Sequence, residues 1–321
     1  MIKPAIKDED GKKYINTGGF ELVCVNKDER YVYFVFENKV LSEIEVENIG
    51  EYPIGSFLYG KISDISKGID AAFVTLPNKS RAFLKLNGRD LKCGNNVCVK
   101  VTRAGSKNKL MSVSLCEDVD CSHFTDFTEI ETGENVAHTL LNKYVFDRIL
   151  CENEKLYNHL SDFVKDSSND LSCMSVYNDK MVSLSVLFSL SKHLEEATGK
   201  TVWLKSGANI VIETTQALTV VDVNSGKKMS KNDKNINVLE INKEAASELF
   251  RQMNIRNLSG IIIVDFINFD SKEESEIFIK FLRDLCTNQK AYTKIIDITP
   301  LGLAEITRKK TGPTIYDLNL V

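Results

Sequence analysis

The feature that most constrains the fold is the run Gly260-Ile-Ile-Ile-Val-Asp265-Phe266. Its branched apolar residues favour a β-strand, and nearly continuous apolar runs are typical of strands that are covered on both faces. Further strand segments and helical segments alternate with it through residues 201–321. We therefore predict a mixed α/β domain here, with this strand buried on both faces.

Helix signals are present in this domain and before it. Asn242 is interpreted as the N-cap of one helix, with Glu244 in its first turn, and Ser271 as the cap of the next. Earlier in the chain, the spacing of apolar residues turns helical within residues 136–165 and again within 182–198.

Short strands dominate the first part of the chain. Five segments of strand composition fall between residues 55 and 116, with turns at Lys67-Gly68 and Pro77-Asn78. This pattern predicts a small closed barrel of the OB class. Alternating apolar residues from Phe20 to Glu47 predict two or three strands before the barrel.

The net charge of −4 conceals a separation of charge along the chain. Residues 55–115 carry 11 Lys/Arg and 3 Asp/Glu, whereas residues 116–200 carry 7 and 16. A basic module beside an acidic one is typical of a protein with one surface for a polyanion, and a merely solvated basic face is the alternative. No apolar run reaches about 18 residues, so no membrane span is expected.

Cysteine usage gives a hint of location and metal content. The eight cysteines form no Cys-x-x-Cys pair, so we expect no zinc site. Scattered single thiols favour a reducing compartment, and we predict a cytoplasmic protein.

The chemical signal is an aspartate near the end of each of two apolar strands, Asp222 in Val220-Val-Asp-Val-Asn224 and Asp265 in the run above. Asp222 and Asn224 are two residues apart, so both point to the same face of a strand. Two converging carboxylates and an amide at strand ends suit a hard cation such as Mg²⁺, which can generate a hydroxide nucleophile. Each aspartate could instead cap the turn or helix that follows it.

At these residues the sequence resembles the ribonuclease E/G family, over most of residues 201–310. The matching segments are Leu204-Lys-Ser-Gly-Ala-Asn-Ile-Val-Ile-Glu-Thr-Thr-Gln-Ala-Leu-Thr-Val-Val-Asp-Val-Asn-Ser-Gly226, Asn242-Lys-Glu-Ala-Ala, Arg251-Gln-Met-Asn-Ile-Arg-Asn-Leu-Ser-Gly-Ile-Ile-Ile-Val-Asp-Phe-Ile267 and Leu301-Gly-Leu-Ala-Glu-Ile-Thr-Arg-Lys-Lys310. Shorter similarities to the family's S1 barrel lie at Leu58-Tyr-Gly-Lys-Ile, Ala71-Ala-Phe-Val and Ala82-Phe-Leu. Val145-Phe-Asp-Arg-Ile-Leu resembles the family's RNase H-like portion.

The resemblance implies a multi-domain α/β architecture. An S1/OB-type barrel at 55–116 would be inserted in an RNase H-like region. The strands of that region would lie at 19–54, and a reduced linker with the helical remainder at 117–200. A DNase I-like catalytic domain would occupy 201–321.

The resemblance also implies an Mg²⁺-dependent endoribonuclease, with Mn²⁺ as a substitute, that cuts single-stranded A/U-rich RNA to leave 5′-phosphate ends in RNA processing or decay. Asp222 and Asp265 match the family's metal-binding catalytic aspartates, and Asn224 matches the asparagine that orients one of them. Phe73 and Phe83 match the aromatic pair on the S1 surface, although a generic barrel would place such residues in its core. The remaining candidate RNA contacts are Lys61, Arg81, Lys107, Lys109, Arg308, Lys309 and Lys310. A solvated strand end is the alternative for the last three.

The sequence departs from the family pattern in two places. Only the short segment 117–140 stands where the family carries a sensor of the RNA 5′-monophosphate, and no Arg-Thr-Ala sequence of the sensor type is present. The Cys-Pro-x-Cys element that links subunits through zinc is absent from the sequence. We therefore expect little dependence on the 5′ end, and any homodimer would form without a zinc link.

Two rival functions remain open. One is a catalytically silent RNA-binding regulator on the same fold, and the other is a DNA-directed phosphodiesterase. The joint presence of Asp222, Asn224 and Asp265 favours catalysis, and an S1-type barrel favours single-stranded RNA.

Overall fold

The computed structural model describes residues 6–7, 13–14, 19–105, 109–116, 124, 127–133, 135–226, 238–269, 271–287, 289–299 and 301–320. The first part consists mainly of strands: β1 (Ile6–Lys7), β2 (Lys13–Tyr14), β3 (Phe20–Lys27), β4 (Arg30–Glu37), β5 (Val40–Asn48), β6 (Phe57–Ser66), β7 (Ala71–Thr75), β8 (Arg81–Lys85), β9 (Asn96–Arg103), β10 (Met111–Leu115) and β11 (Thr128–Glu131). The middle part contains α1 (Val136–Lys143), β12 (Arg148–Cys151), α2 (Glu154–Lys165), β13 (Met174–Val176), α3 (Leu184–Leu187) and α4 (Leu190–Thr198). The last part contains β14 (Thr201–Trp203), β15 (Asn209–Thr214), β16 (Leu218–Asn224), α5 (Val238–Ile255), β17 (Gly260–Asp265), α6 (Lys272–Thr287), β18 (Thr293–Ile298), β19 (Leu303–Arg308) and α7 (Ile315–Leu318).

A five-stranded sheet combines the strands before the barrel with two strands from the middle of the chain. Its order is β13-β12-β3-β4-β5, in which β3, β4 and β5 form an antiparallel meander and β12 and β13 run parallel to β3. Both faces are buried because β4 is apolar at every internal position. Tyr33 and its alternate neighbours pack toward α1 and α2, while Phe34 and its alternate neighbours pack toward α3, α4 and α7.

The helical spacing within residues 136–165 is interrupted by a strand, which the sequence did not show. Arg148–Cys151 forms β12, which inserts between β3 and β13 and buries Ile149 and Cys151 completely. The segment 182–198 is also broken, because Ser189 adopts a left-handed conformation between α3 and α4. Val186, one of the apolar residues of this segment, is 68% exposed.

The predicted closed barrel is confirmed. Strands β6, β7, β8, β10 and β9 pair in that order, and β9 pairs again with β6 to close the barrel. Strands β8 and β10 are parallel, whereas the other pairs are antiparallel. Alternate residues such as Val74, Leu84 and Val99 fill the interior. Strand β11 extends the sheet by pairing with the start of β6.

The last part of the chain forms a mixed six-stranded sheet in the order β14-β15-β16-β17-β19-β18. Helices α5 and α6 cover one face, where Leu249, Ile262 and Phe278 share a core. The expectation that β17 is buried on both faces is wrong, because Ile261 on the other face is 53% exposed. Among the described residues, no helix packs against that second face, which we call the open face.

The two cap interpretations in this sheet have opposite outcomes. The Ser271 hydroxyl accepts a hydrogen bond from the backbone N–H of Glu274, so Ser271 caps α6 as predicted. Asn242 is not an N-cap, because α5 already includes Val238 and Asn242 lies inside the helix, fully buried. Its side chain bonds to a loop instead of to the helix start.

A buried ionic cluster connects the first sheet to the last. Glu43 of β5 is almost completely buried and accepts hydrogen bonds from Lys143 at 2.6 Å and from the Tyr144 hydroxyl at 2.8 Å. Lys290, which follows α6, forms ion pairs with Glu43 and Glu45. These contacts tie the two sheets together. None of the described helices is long and apolar enough to cross a membrane.

Candidate functional site

The two aspartates lie side by side on the open face. Strands β16 and β17 are parallel, and their register places Asp222 directly opposite Asp265. Neighbouring strands are about 4.8 Å apart. Val221 and Val264, one position earlier, are completely buried against the helices, so strand alternation directs both aspartates away from that core.

Asn224 is fixed against the first aspartate. Its side-chain amide donates a hydrogen bond of 2.7 Å to a carboxylate oxygen of Asp222. The structure therefore brings together Asp222, Asn224 and Asp265, which the sequence had placed on two separate strands.

The alternative that the aspartates only cap turns finds no support in the hydrogen bonds. The backbone N–H of Ile267, two residues after Asp265, is bonded to the side-chain oxygen of Asn242 at 3.1 Å. Asn224, two residues after Asp222, belongs to β16 and lies opposite Asn209 of β15. Among the described residues, no backbone N–H donates to either aspartate.

The pair has the chemistry of a site for a hard cation. Two carboxylates at adjacent register positions repel each other, and no Lys or Arg in the described residues forms an ion pair with either of them. No third His, Cys, Asp or Glu joins them within the part of the chain that the structure describes. Such a site suits Mg²⁺, which binds through one or two carboxylates and keeps several water ligands.

A positioning residue escaped the sequence analysis. The buried side chain of Asn242 donates to the carbonyl oxygen of Ile267 at 2.7 Å and accepts from its N–H at 3.1 Å. This double hydrogen bond fixes the loop that follows Asp265. Only the position of Asn242 inside a helical pattern, where a cap is out of place, could have indicated this role.

The basic residues at the end of β19 do not lie near the aspartates. Strands β17 and β19 are antiparallel, so that Asp265 faces Leu303 whereas Arg308 faces Gly260 at the other end. Five residues of strand separate the two positions by about 17 Å. The strand register therefore does not bring Arg308, or the two lysines that follow it, next to the aspartate pair.

Arg308 is also unavailable for a ligand. Its side chain is buried and donates to the carbonyl oxygen of Leu258 and, at 2.8 Å, to the side-chain oxygen of Asn254. Burial lowers the pKa of Arg308 to about 10, and the nearby charge of Glu43 opposes that shift. Lys309 and Lys310 are exposed.

The aromatic pair lies on the outside of the barrel. Phe73 of β7 and Phe83 of β8 are register partners, and their rings meet edge to face with centroids 6.2 Å apart. Their neighbours Ala72 and Ala82 point into the barrel instead. Both rings are partly exposed, so the core placement typical of a generic barrel is excluded.

A cation lies over one ring of this aromatic pair, and another lies on the neighbouring strand β6. The Arg81 guanidinium lies 4.8 Å from the centroid of the Phe73 ring, which is a cation–π distance. It also forms an ion pair of 3.8 Å with Asp64. Lys61 is partly exposed and lies opposite Thr75, which in turn lies opposite Arg81.

The structure describes some of the remaining basic residues of the barrel and not others. Lys109 is exposed just before β10, whereas Lys107 lies outside the described residues. Arg103 was not singled out from the sequence, since a charge count does not select among the basic residues of the barrel. It donates to the Ser112 hydroxyl at 2.8 Å, and Ser112 lies opposite Phe83.

Comparison with known proteins identifies the family to which the chain is similar. A model of the ribonuclease E/G family matches residues 126–311, more than half of the chain. Ribonuclease E of Synechocystis sp. is 45% identical over 139 residues, which is 42% of this chain and 20% of that protein. Ribonuclease G of Escherichia coli K12 is 28% identical over 169 residues, 53% of this chain and 35% of that protein. The chloroplastic ribonuclease E/G-like protein of Arabidopsis thaliana is 28% identical over 171 residues, 53% of this chain and 17% of that protein. The matches thus span well under two thirds of these relatives.

Proposed function

Because this chain belongs to the ribonuclease E/G family, we propose that it is a metal-dependent endoribonuclease that hydrolyses single-stranded, A/U-rich RNA to 5′-phosphate products. The observation that carries the proposal is the register pairing of Asp222 with Asp265, with Asn224 bonded to the former. A binding protein without catalysis has no need for two adjacent carboxylates on an open sheet face that form no ion pair with any described residue.

Asp222 and Asp265 would hold Mg²⁺, or Mn²⁺ in its place. When bound, the cation would favour ionisation of a water molecule and offset the charge that develops on the phosphate. The chain itself contributes fixed geometry: the strand register sets the spacing of the carboxylates, and Asn224 holds the Asp222 carboxylate in one orientation. Asn242 fixes the backbone directly after Asp265.

The outer face of the barrel would hold the RNA strand. Unstacked bases can lie on Phe73 and Phe83, and each stacked base is worth roughly 1–3 kcal/mol. Arg81 lies over the Phe73 ring, Lys61 and Arg103 lie on nearby strands, and all three would neutralise the phosphates. Lys107 and Lys109 are proposed as further contacts.

The fold proposals for the two sheets rest on topology. The order β13-β12-β3-β4-β5, with an antiparallel meander followed by two parallel strands, supports an RNase H-like region. The mixed sheet with α5 and α6 on one face supports a DNase I-like catalytic domain. A cytoplasmic location and a homodimer without a zinc link are likewise proposals.

Cleavage of a short fluorescent A/U-rich RNA in Mg²⁺ or in EDTA tests the activity. We expect the wild-type chain to cut in Mg²⁺ only, and Asp222→Asn and Asp265→Asn each to lower kcat/KM at least a hundredfold, because each removes one ligand charge. Glu213→Gln, a carboxylate on the neighbouring β15 that is paired with Lys200, is the matched control and should retain activity. Wild-type binding without cleavage would favour the silent regulator, and cutting of single-stranded DNA at an equal rate would favour the DNA-directed enzyme.

A further inference from the structure

A cavity of about 380 Å³ lies just beyond the end of β17, on the side of the sheet that α6 covers, whereas the proposed metal site is on the open face at the same end. Its walls come from the loop after Asp265, from the first turns of α6, from the end of β18 and from the turn before β19. This size is within the range of pockets that hold small organic groups. Neither the sequence motifs nor the proposed metal chemistry accounts for this cavity.

The cavity is preformed by packing on one side and by hydrogen bonds on the other. Phe278 of α6 contacts Phe266 edge to face with ring centroids 4.8 Å apart and contacts Phe269 at 5.3 Å. The loop between these two phenylalanines is held at Ile267 by the double hydrogen bond from buried Asn242. A ligand would therefore bind against aromatic side chains that are already fixed in place. The loop would not have to become ordered first.

The walls combine flat apolar surface with polar groups at the rim. Phe269 and Ile298 supply the partly exposed apolar surface, and Phe266 is almost completely buried behind it. Asn268 supplies an amide that can both donate and accept, and Ser275 supplies a hydroxyl. Aromatic faces together with an amide are the combination by which proteins hold an unstacked nucleobase.

The position of the cavity relative to the aspartates favours the RNA substrate, and not an unrelated molecule, as its ligand. Asn268 is three residues after Asp265, so their Cα atoms are at most about 11 Å apart. Gly302, on the opposite wall, precedes Leu303, the register partner of Asp265. The cavity therefore lies within a few nucleotides of a phosphate at the metal site.

Gly302 leaves room for the Asn268 side chain on the opposite wall. Its backbone is in the left-handed region, with φ +85, and a Cβ atom there would lie 3.0 Å from the side-chain oxygen of Asn268. Lys272 stands on the cavity wall and is exposed, so that a cation is available to the phosphate of a nucleotide whose base enters.

We propose that this cavity binds one base of the RNA strand, close to the cleaved phosphodiester, and that it thereby helps to select the cleavage position. The inference rests on the proposed function, because the strand is placed by the aspartate pair. It adds a second base-binding site to the aromatic pair on the barrel.

An abasic scan of the substrate tests the proposal. A single-stranded RNA of defined cleavage site is prepared with one base removed at each position in turn. Its kcat/KM is measured in Mg²⁺ and its affinity by fluorescence anisotropy in EDTA. The variant Ser275→Phe fills the cavity from α6, and Ser247→Phe adds the same group to an exposed position of α5 as a matched control. Circular dichroism checks the folding of both, and Asn268→Ala removes the rim amide if Ser275→Phe does not fold.

We expect wild type and Ser247→Phe to lose about tenfold in kcat/KM at one position near the cleaved bond, the order of one lost stacking interaction. Ser275→Phe should cut the intact RNA about as slowly as wild type cuts that abasic RNA, with no further loss at this position. Identical scans for all three proteins would overturn the base site. If wild type binds without cutting, the proposed activity fails, and the anisotropy scan still decides the cavity: a position-specific loss abolished by Ser275→Phe supports it, and its absence refutes it.

Discussion

At the scale of single residues, side chains with the same charged group differ in burial and in partners according to their surroundings. Asp222 and Asp265 are exposed and adjacent, whereas Glu43 is buried and forms ion pairs with Lys143 and Lys290. Arg81 lies over an aromatic ring on a surface, whereas Arg308 is buried and bonded to a carbonyl and an amide. The chemistry of each group therefore follows from its partners more than from its place in a motif.

The hydrogen bond from Asn224 to Asp222 gives a prediction at this scale. Replacing Asn224 by Ala removes the donor that orients the carboxylate, so we expect about a tenfold loss of kcat/KM, the cost of one hydrogen bond to a charged group. The melting temperature should change little, because the pair is exposed. Asn209→Ala, at the register partner on β15, is the control. A normal rate for Asn224→Ala would show that Asp222 is oriented by something else.

At the scale of elements, the barrel depends on close backbone approach at one position of β6. A Cβ atom on Gly60 would lie 2.5 Å from the carbonyl oxygen of Thr75, which is closer than real contacts allow. Gly68, in the turn between β6 and β7, has nothing within 4 Å of the same atom. One glycine is thus required by packing, and the other is not.

We expect Gly60→Ala to lower the free energy of unfolding by about 1–3 kcal/mol, the usual cost of overpacking, and to weaken RNA binding because β6 and β7 must separate. Gly68→Ala should stay within about 0.5 kcal/mol of wild type. Urea denaturation and RNA affinity, measured on both variants, check this pair. Equal stability of the two would mean that the barrel relaxes without cost at Thr75.

At the scale of the whole molecule, the five-stranded sheet and the six-stranded sheet of the last part of the chain are joined by buried polar groups as well as by apolar packing. Burial by itself would raise the pKa of Glu43, but Lys143, Lys290 and the Tyr144 hydroxyl outweigh it and lower the pKa to about 2. Arg256 makes a second joint, because its buried guanidinium donates to Gly199 and to the Tyr316 hydroxyl. Removing the partners of Glu43 or the partners of Arg256 would leave buried polar groups without hydrogen bonds.

The buried ionic cluster around Glu43 predicts a loss of stability in acid. The pKa of Glu43 is lower in the folded chain than its ordinary value of 4.5, so the unfolded chain binds the extra proton as the pH falls from about 4.5 to about 2. Glu43 therefore stabilises the fold above this window, by on the order of 3 kcal/mol, and the stabilisation is lost within it. Glu43→Gln should be less stable at pH 7 yet lose less stability between pH 5 and pH 3 in urea titrations, whereas Glu213→Gln should follow wild type. An unchanged pH slope in Glu43→Gln would contradict the role of this cluster.

The sequence by itself determined the strands of the barrel and the fact that Asp222 and Asn224 share a face of β16, because strand period and residue type are local properties. Tertiary structure decided which strands are neighbours, and hence that Asp222 meets Asp265 and that Arg308 lies at the far end of the sheet. It also decided that β17 has one open face and that Asn242 clamps a loop, because helix placement and side-chain partners come from residues distant in the sequence. Local patterns assign each side chain to a face, but only the assembled sheet supplies its neighbour.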